Sequence, residues 1–184
     1  MKKTVEIGGD NPQFAASLLA RFKDMGFLPG DDNKTVDMFV YIIDPPPCGR
    51  NDYGNLLSGY QSTAIGLLNA VSRLLPRMEQ GEGKRLCFIN RLASSINFAG
   101  IFDGGFERII SASCNMAIKI LFNRLRPAGY TFRLYGAENF ESSDECPYIA
   151  DYFIRNRSLE KESEAHSDEN RLVIRGRFEI EYPW

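Results

Sequence analysis

The chain alternates between short uniformly apolar runs and longer stretches in which apolar residues recur every three or four positions. Thr4–Ile7 is a short β-prone run, Gly8 and Gly9 make a turn, and Phe14, Leu18, Leu19 and Phe22 then fall on one helix face. Strand, glycine turn and helix in that order predict the opening of a Rossmann-like unit. "LPGDDNK" predicts a turn, and Met38–Ile43 is apolar throughout, as expected of a parallel strand covered on both faces. The three prolines of "DPPPCGRNDYGN" cannot continue a central strand, so a loop follows.

Residues 61–78 predict a helix, with Ile65, Leu68, Val71, Leu75 and Met78 in one stripe that Leu67, Ala70 and Leu74 widen. "KRLCFIN" predicts the next strand, and the glycine-bearing "SSINFAGIFDGGFE" connects it to a second long helix at 111–126. "RPAG" ends that helix, and "YTFRLYG" predicts another strand. Strands alternating with helices give an α/β fold with a mostly parallel sheet, because each right-handed crossover lays its helix on a sheet face.

Length and charge narrow the setting. The 184 residues match one domain, 1–184, with a charged surface insert at about 156–170 and a C-terminal β segment at 171–184. The 22 Lys and Arg against 24 Asp and Glu leave a formal charge of -2 with no basic patch, which argues against nucleic acid. No run reaches the roughly 20 apolar residues of a membrane span, and "MKKTVEIGG" lacks a signal peptide's apolar stretch, so a cytoplasmic location is expected. Cys48, Cys87, Cys114 and Cys146 are widely spaced and the single His166 sits in the charged insert, so no metal site is expected.

Four segments in order resemble the short-chain dehydrogenase/reductase family over roughly residues 4–136. "DMFVYIID" stands for D-x-L-V-N-N-A-G, "GLLNAVSRLLPRM" for G-x-F-x-x-x-x-x-x-L-P-x-M, and "GKRLCFIN" for G-x-I-V-N-I-S-S. "ISASCNMAIKILFNRLRPAG" stands for Y-S-A-S-K-A-A-L-x-x-L-x-x-x-L-A-x-x-G. The resemblance implies a Rossmann-like three-layer fold, here shortened by loss of the second and third strands, since Gly26 to Asp37 leaves room only for a turn. That would place the first strand at an edge needing cover from the C-terminal segment or a partner chain.

The departures fall where the resemblance places the chemistry. A family Tyr protonates the substrate oxygen, a Lys four residues later lowers its pKa and holds the cofactor ribose, and a Ser polarises the carbonyl. Those positions hold Ile110, Cys114 and Arg91, and the supporting Asn becomes Thr63. Lys119 follows Asn115 by four, but an amide cannot replace a phenol. Ser94 and Ser95 could slide into the serine's place, though a serine without the Tyr does nothing. Cys114 near a helix start could be a nucleophile, yet lacks a nearby His as base.

The nucleotide turn keeps a glycine at Gly8, with Gly9 beside it, but Pro12 and Phe14 occupy the second and third glycine positions. Asp10 adds negative charge where a pyrophosphate would lie. No cofactor is therefore expected. The expectation is a non-catalytic protein of this fold, acting by oligomerisation, partner binding or small-ligand binding. Self or hetero association would use helices 61–78 and 111–126, tested by truncating Leu121 or Phe122. The alternative is an NAD(P)-dependent oxidoreductase with a nonstandard active site. "EIEYPW" is either an anchor for a neighbouring subunit or a closure of the chain's own core.

Overall fold

A computed structural model describes residues 2–31, 35–48, 53–95, 97, 105–155 and 168–184. Seven strands form one sheet in the order β2-β1-β3-β4-β5-β6-β7. β1 is Thr4–Gly9, β2 Leu28–Pro29, β3 Met38–Ile42, β4 Arg85–Arg91, β5 Thr131–Ala137, β6 Ile174–Arg175 and β7 Glu181–Tyr182. All neighbours are parallel except β6 and β7.

Alternation along β3 explains the three layers. Met38, Val40 and Ile42 face a core built with α1 (Pro12–Asp24) and α5 (Cys146–Ile154). Phe39, Tyr41 and Ile43 face the opposite core, under α3 (Gly66–Glu79) and α4 (Glu107–Leu125). A strand buried on both faces has no polar side, which is why this run is apolar throughout. The Rossmann-like three-layer α/β fold is therefore present.

Several details differ from the sequence expectation. Gly8 and Gly9 belong to β1 rather than to a turn, and the turn follows at Asp10 and Asn11. "LPGDDNK" opens with β2, which covers the start of the β1 edge (Thr4 opposite Leu28, Val5 opposite Pro29). The C-terminal segment lies at the far edge of the sheet and does not cover β1. Helix 61–78 begins earlier, as α2 (Tyr53–Gly59), and passes through a π-helical turn, Tyr60–Ile65, into α3. Gly129, at φ 85, ends the last turn after α4 as a left-handed cap.

Of the charged insert, 156–167 and His166 lie outside the described residues. Its end does not fit a solvated surface: Asp168 opens a short helix, α6 (Asp168–Arg171), and is buried. Arg133 and Arg175 both hold its carboxylate, at 3.3 and 2.7 Å. The C-terminal Trp184 packs on the chain's own core and donates its indole N–H to the Leu172 carbonyl at 3.2 Å. No helix among the described residues is long and apolar enough to cross a membrane.

Candidate functional site

Ligands of open parallel sheets bind outside the carboxyl ends of the strands, where the strand order reverses, here between β1 and β3. β1 delivers Gly9, Asp10 and Asn11 to this end. Gly9 has φ 123, and a Cβ there would lie 2.1 Å from the Ile42 carbonyl oxygen, so only glycine fits. Close approach is thus required at Gly9, whereas a Cβ on Gly8 would make ordinary contact with Phe39 and Tyr41.

The first turn of α1 is already satisfied. Asn11 caps it, accepting from the Phe14 amide at 2.9 Å, and Pro12 has no amide hydrogen to offer. Phe14 is buried, its ring edge-on to Phe140 at 5.1 Å. Beside this pair, Asp44 accepts from Asn11 Nδ2 at 2.9 Å and from Arg91 Nε at 2.9 Å, and the Arg91 guanidinium lies over Phe140, 5.5 Å from its centroid. Asp10 accepts from the Asp44 amide at 3.3 Å. Burial raises the Asp10 pKa above its ordinary 3.8, the Thr63 hydroxyl and the Asp44 amide opposing it and the Asp44 charge adding a smaller push. The ends of β1, β3 and β4 and the segment after β5 are thereby clasped by the chain's own side chains.

The other candidate positions lie across the sheet, on the α3 and α4 side. Ile110 is fully buried, filling space left by Gly59, where a Cβ would come 2.5 Å from Ile110 Cδ1. Cys114 is fully buried, and burial pushes its thiol up to about 12, helped by the Asp10 charge. The thiol therefore stays protonated at neutral pH and is a poor nucleophile. Thr63 is buried in the π-helical turn with its hydroxyl toward Asp10, while the hydroxyl of buried Ser111 has no hydrogen-bond partner among the described residues.

The structure brings together a polar group that sequence reasoning only grazed. Asn90 Nδ2 donates to Asn115 Oδ1 at 2.8 Å and to the Ser111 carbonyl at 2.9 Å; Asn115 Nδ2 donates to Ser94 Oγ at 3.1 Å. Ser94 lies in the short turn just past β4, where it meets amides, which do not titrate near neutrality. Ser95 instead donates to the Pro183 carbonyl at 2.7 Å, and the Lys119 ammonium lies over the Phe122 ring. Asn90 was findable as a polar residue ending an otherwise apolar strand. Among the described residues, no three His, Cys, Asp or Glu side chains are grouped to hold a metal.

This architecture is that of the short-chain dehydrogenases and reductases. The Sniffer protein of Caenorhabditis elegans, described as a carbonyl reductase, superposes with a TM-score of 0.70 over 100% of both chains, at 12% identity. A carbonyl reductase of Pseudomonas aeruginosa gives 0.66 over 99% of this chain and 100% of its own, at 12% identity. A Brucella ovis oxidoreductase of that family, in complex with a partially ordered NAD, gives 0.64 over 84% and 94%, at 11% identity. In sequence, C-signal of Myxococcus xanthus is 31% identical over 84 residues, 45% of this chain and 49% of C-signal, so the likeness spans about half the length of that relative. No protein-family model matches the chain.

Proposed function

We propose that this is a non-catalytic protein of the short-chain dehydrogenase fold that acts by association. The observation that carries the reading is the clasp of Asn11, Asp44, Arg91, Phe14 and Phe140 at the strand ends, in the crevice where such a fold takes a dinucleotide. The test is titration of the purified protein with NADH and NADPH, following nucleotide fluorescence and thermal stability together. A bound nucleotide must stabilise the folded state. No saturation and no rise in Tm up to millimolar nucleotide is the expected result; saturation at micromolar concentration sinks the reading.

The association surface is the outer face of the two long helical segments. Ile65 and Leu68 on one, and Ile109, Met116 and Ile120 on the other, are exposed, with Met116 at 61%. Phe122 is only 4% exposed and Leu121 packs against the core, so truncating either probes folding rather than association. Met116→Lys with Ile120→Glu is the cleaner test. It should convert an oligomer to monomer in light scattering at unchanged Tm, and an unchanged mass would exclude this face.

A second reading, an NAD(P)-dependent oxidoreductase with a nonstandard site, draws its support from the comparisons, since the similar structures named above are reductases and an oxidoreductase. Ser94, held by Asn115 at the end of β4, is the hydroxyl that could donate to a substrate carbonyl. NADPH-dependent loss of absorbance with a small ketone, abolished in Ser94→Ala, would establish this reading over the first.

A further inference from the structure

Among the described residues, the Gly26–Asp37 connection pairs with only the first half of one sheet edge. Leu28 donates to the Lys3 carbonyl at 2.9 Å and Gly30 to the Val5 carbonyl at 2.7 Å, so odd-numbered residues of β1 face β2. On the other side, Asp10 donates to the Ile42 carbonyl, so even-numbered residues face β3. After Val5 no described residue continues β2 along the outer edge. By this parity the N–H and C=O of Ile7 and Gly9 point outward, past the last described pair of β1 with β2, Val5 with Pro29. Beside them runs a groove of about 360 Å³ between β1 and α1, walled by Ile7, Pro12, Ala15, Ala16, Leu19 and Pro29.

Unpaired strand donors and acceptors beside an apolar wall are satisfied by an added strand, whose alternate side chains enter the groove. Size decides what brings that strand. Glu6–Gly9 is only about 13 Å of edge, since a strand rises about 3.3 Å per residue. So short an edge cannot alone supply the roughly 1,200 Å² of a stable protein interface. It matches a short extended peptide. We propose that β1 accepts an extended apolar peptide segment of a partner protein, continuing the line of β2 past Val5. Small Ala15 and Ala16 leave room for its side chains.

The probe is an end-blocked, fluorescein-labelled octapeptide with valine at alternate positions and threonine and lysine between, titrated against the full chain by anisotropy. Saturable binding at micromolar concentration is expected, at least tenfold weaker for Ile7→Pro, whose backbone loss is an outward N–H and not a bond to β3. Because Ile7→Pro also loses a packed side chain, Ala16→Arg, on the exposed groove wall, is the second variant and should weaken binding equally at unchanged Tm. The same peptide N-methylated at alternate amides should lose affinity. Equal binding by wild type and Ala16→Arg, or no saturation at millimolar peptide, overturns the proposal. So does a dimer in light scattering that Ala16→Arg converts to monomer, which would assign the edge to a second copy.

Discussion

Replacing Asp44 by alanine tests the clasp directly. Asp44 accepts from Arg91 and from Asn11, and its side chain is 14% exposed against 40% for Arg91. An ion pair this open to solvent contributes about 0–1 kcal/mol. The Asn11 hydrogen bond adds about 1 kcal/mol. Water can reach the released guanidinium, so no buried charge is stranded, and the total is about 1–2 kcal/mol. At about 2–4 °C per kcal/mol for a chain of this size, Tm should fall by roughly 2–8 °C. Differential scanning calorimetry measures this, and NADH fluorescence is followed on the same sample. The ring pair of Phe14 and Phe140 and the cap of α1 remain, so nucleotide affinity should not appear. A Tm within 1 °C of wild type would show that Asp44 holds nothing together, and micromolar NADH binding by Asp44→Ala would show that the ion pair, rather than the rings, closes the crevice.

Three further substitutions probe charge in the fold. Asp37 ties the start of β1 to the turn before β4, accepting from the Thr4 amide at 2.8 Å and the Glu82 amide at 2.9 Å. Burial alone would raise its pKa, but the donors from Thr4, Glu82 and Gly83 outweigh it and hold the carboxyl below 3.8. Its stabilisation is then complete above that value and lost as pH falls through the folded one. Asp37→Asn should cost about 2 kcal/mol at pH 7 in urea unfolding and flatten the acid limb. Asp10 has the opposite sign: its raised pKa means stability falls as pH rises through the folded value, so Asp10→Asn should raise Tm at pH 7 and lose that advantage below pH 3.8. A Tm difference between Asp10→Asn and wild type that stays constant from pH 7 to below 3.8 would refute this. Arg133, fully buried, donates to the Arg155 carbonyl at 2.9 Å and pairs with Asp168. Arg133→Met should cost about 2–4 kcal/mol by calorimetry, less than a lone buried pair because Arg175 still compensates Asp168.

The long strands were legible because burial on both faces leaves them no polar side, and the long helices because their stripes span several turns. Helix α5 was missed although Cys146, Ile149, Ala150 and Phe153 stand at helical spacing, because Pro147 reads as a breaker until it is placed in the first turn, where proline fits. β2 has two exposed residues and carries no periodic signal. Asp168 was hidden because a charged residue among charged neighbours resembles a solvated one, and only the fold supplies the two arginines. The clasp was invisible for a related reason: Asp44 and Arg91 stand 47 residues apart, and no local pattern pairs them.

The resemblance implies that positions 110 and 114, here Ile and Cys, are where the family carries its Tyr and Lys; it does not say whether those places have room for such side chains. An empty place would accept a phenol and an ammonium. The packing at Gly59 and Ile110 has no such slack, since even one added carbon on Gly59 would crowd Ile110. A phenol at 110 must displace neighbours, at about 1–3 kcal/mol for overpacking. A lysine at buried 114 must surrender its charge or draw in water. Ile110→Tyr with Cys114→Lys should therefore lower Tm and give no NADPH-dependent reduction of a small ketone. Turnover by that double variant would mean the crevice still admits nucleotide, and that two side chains alone separate this chain from catalysis.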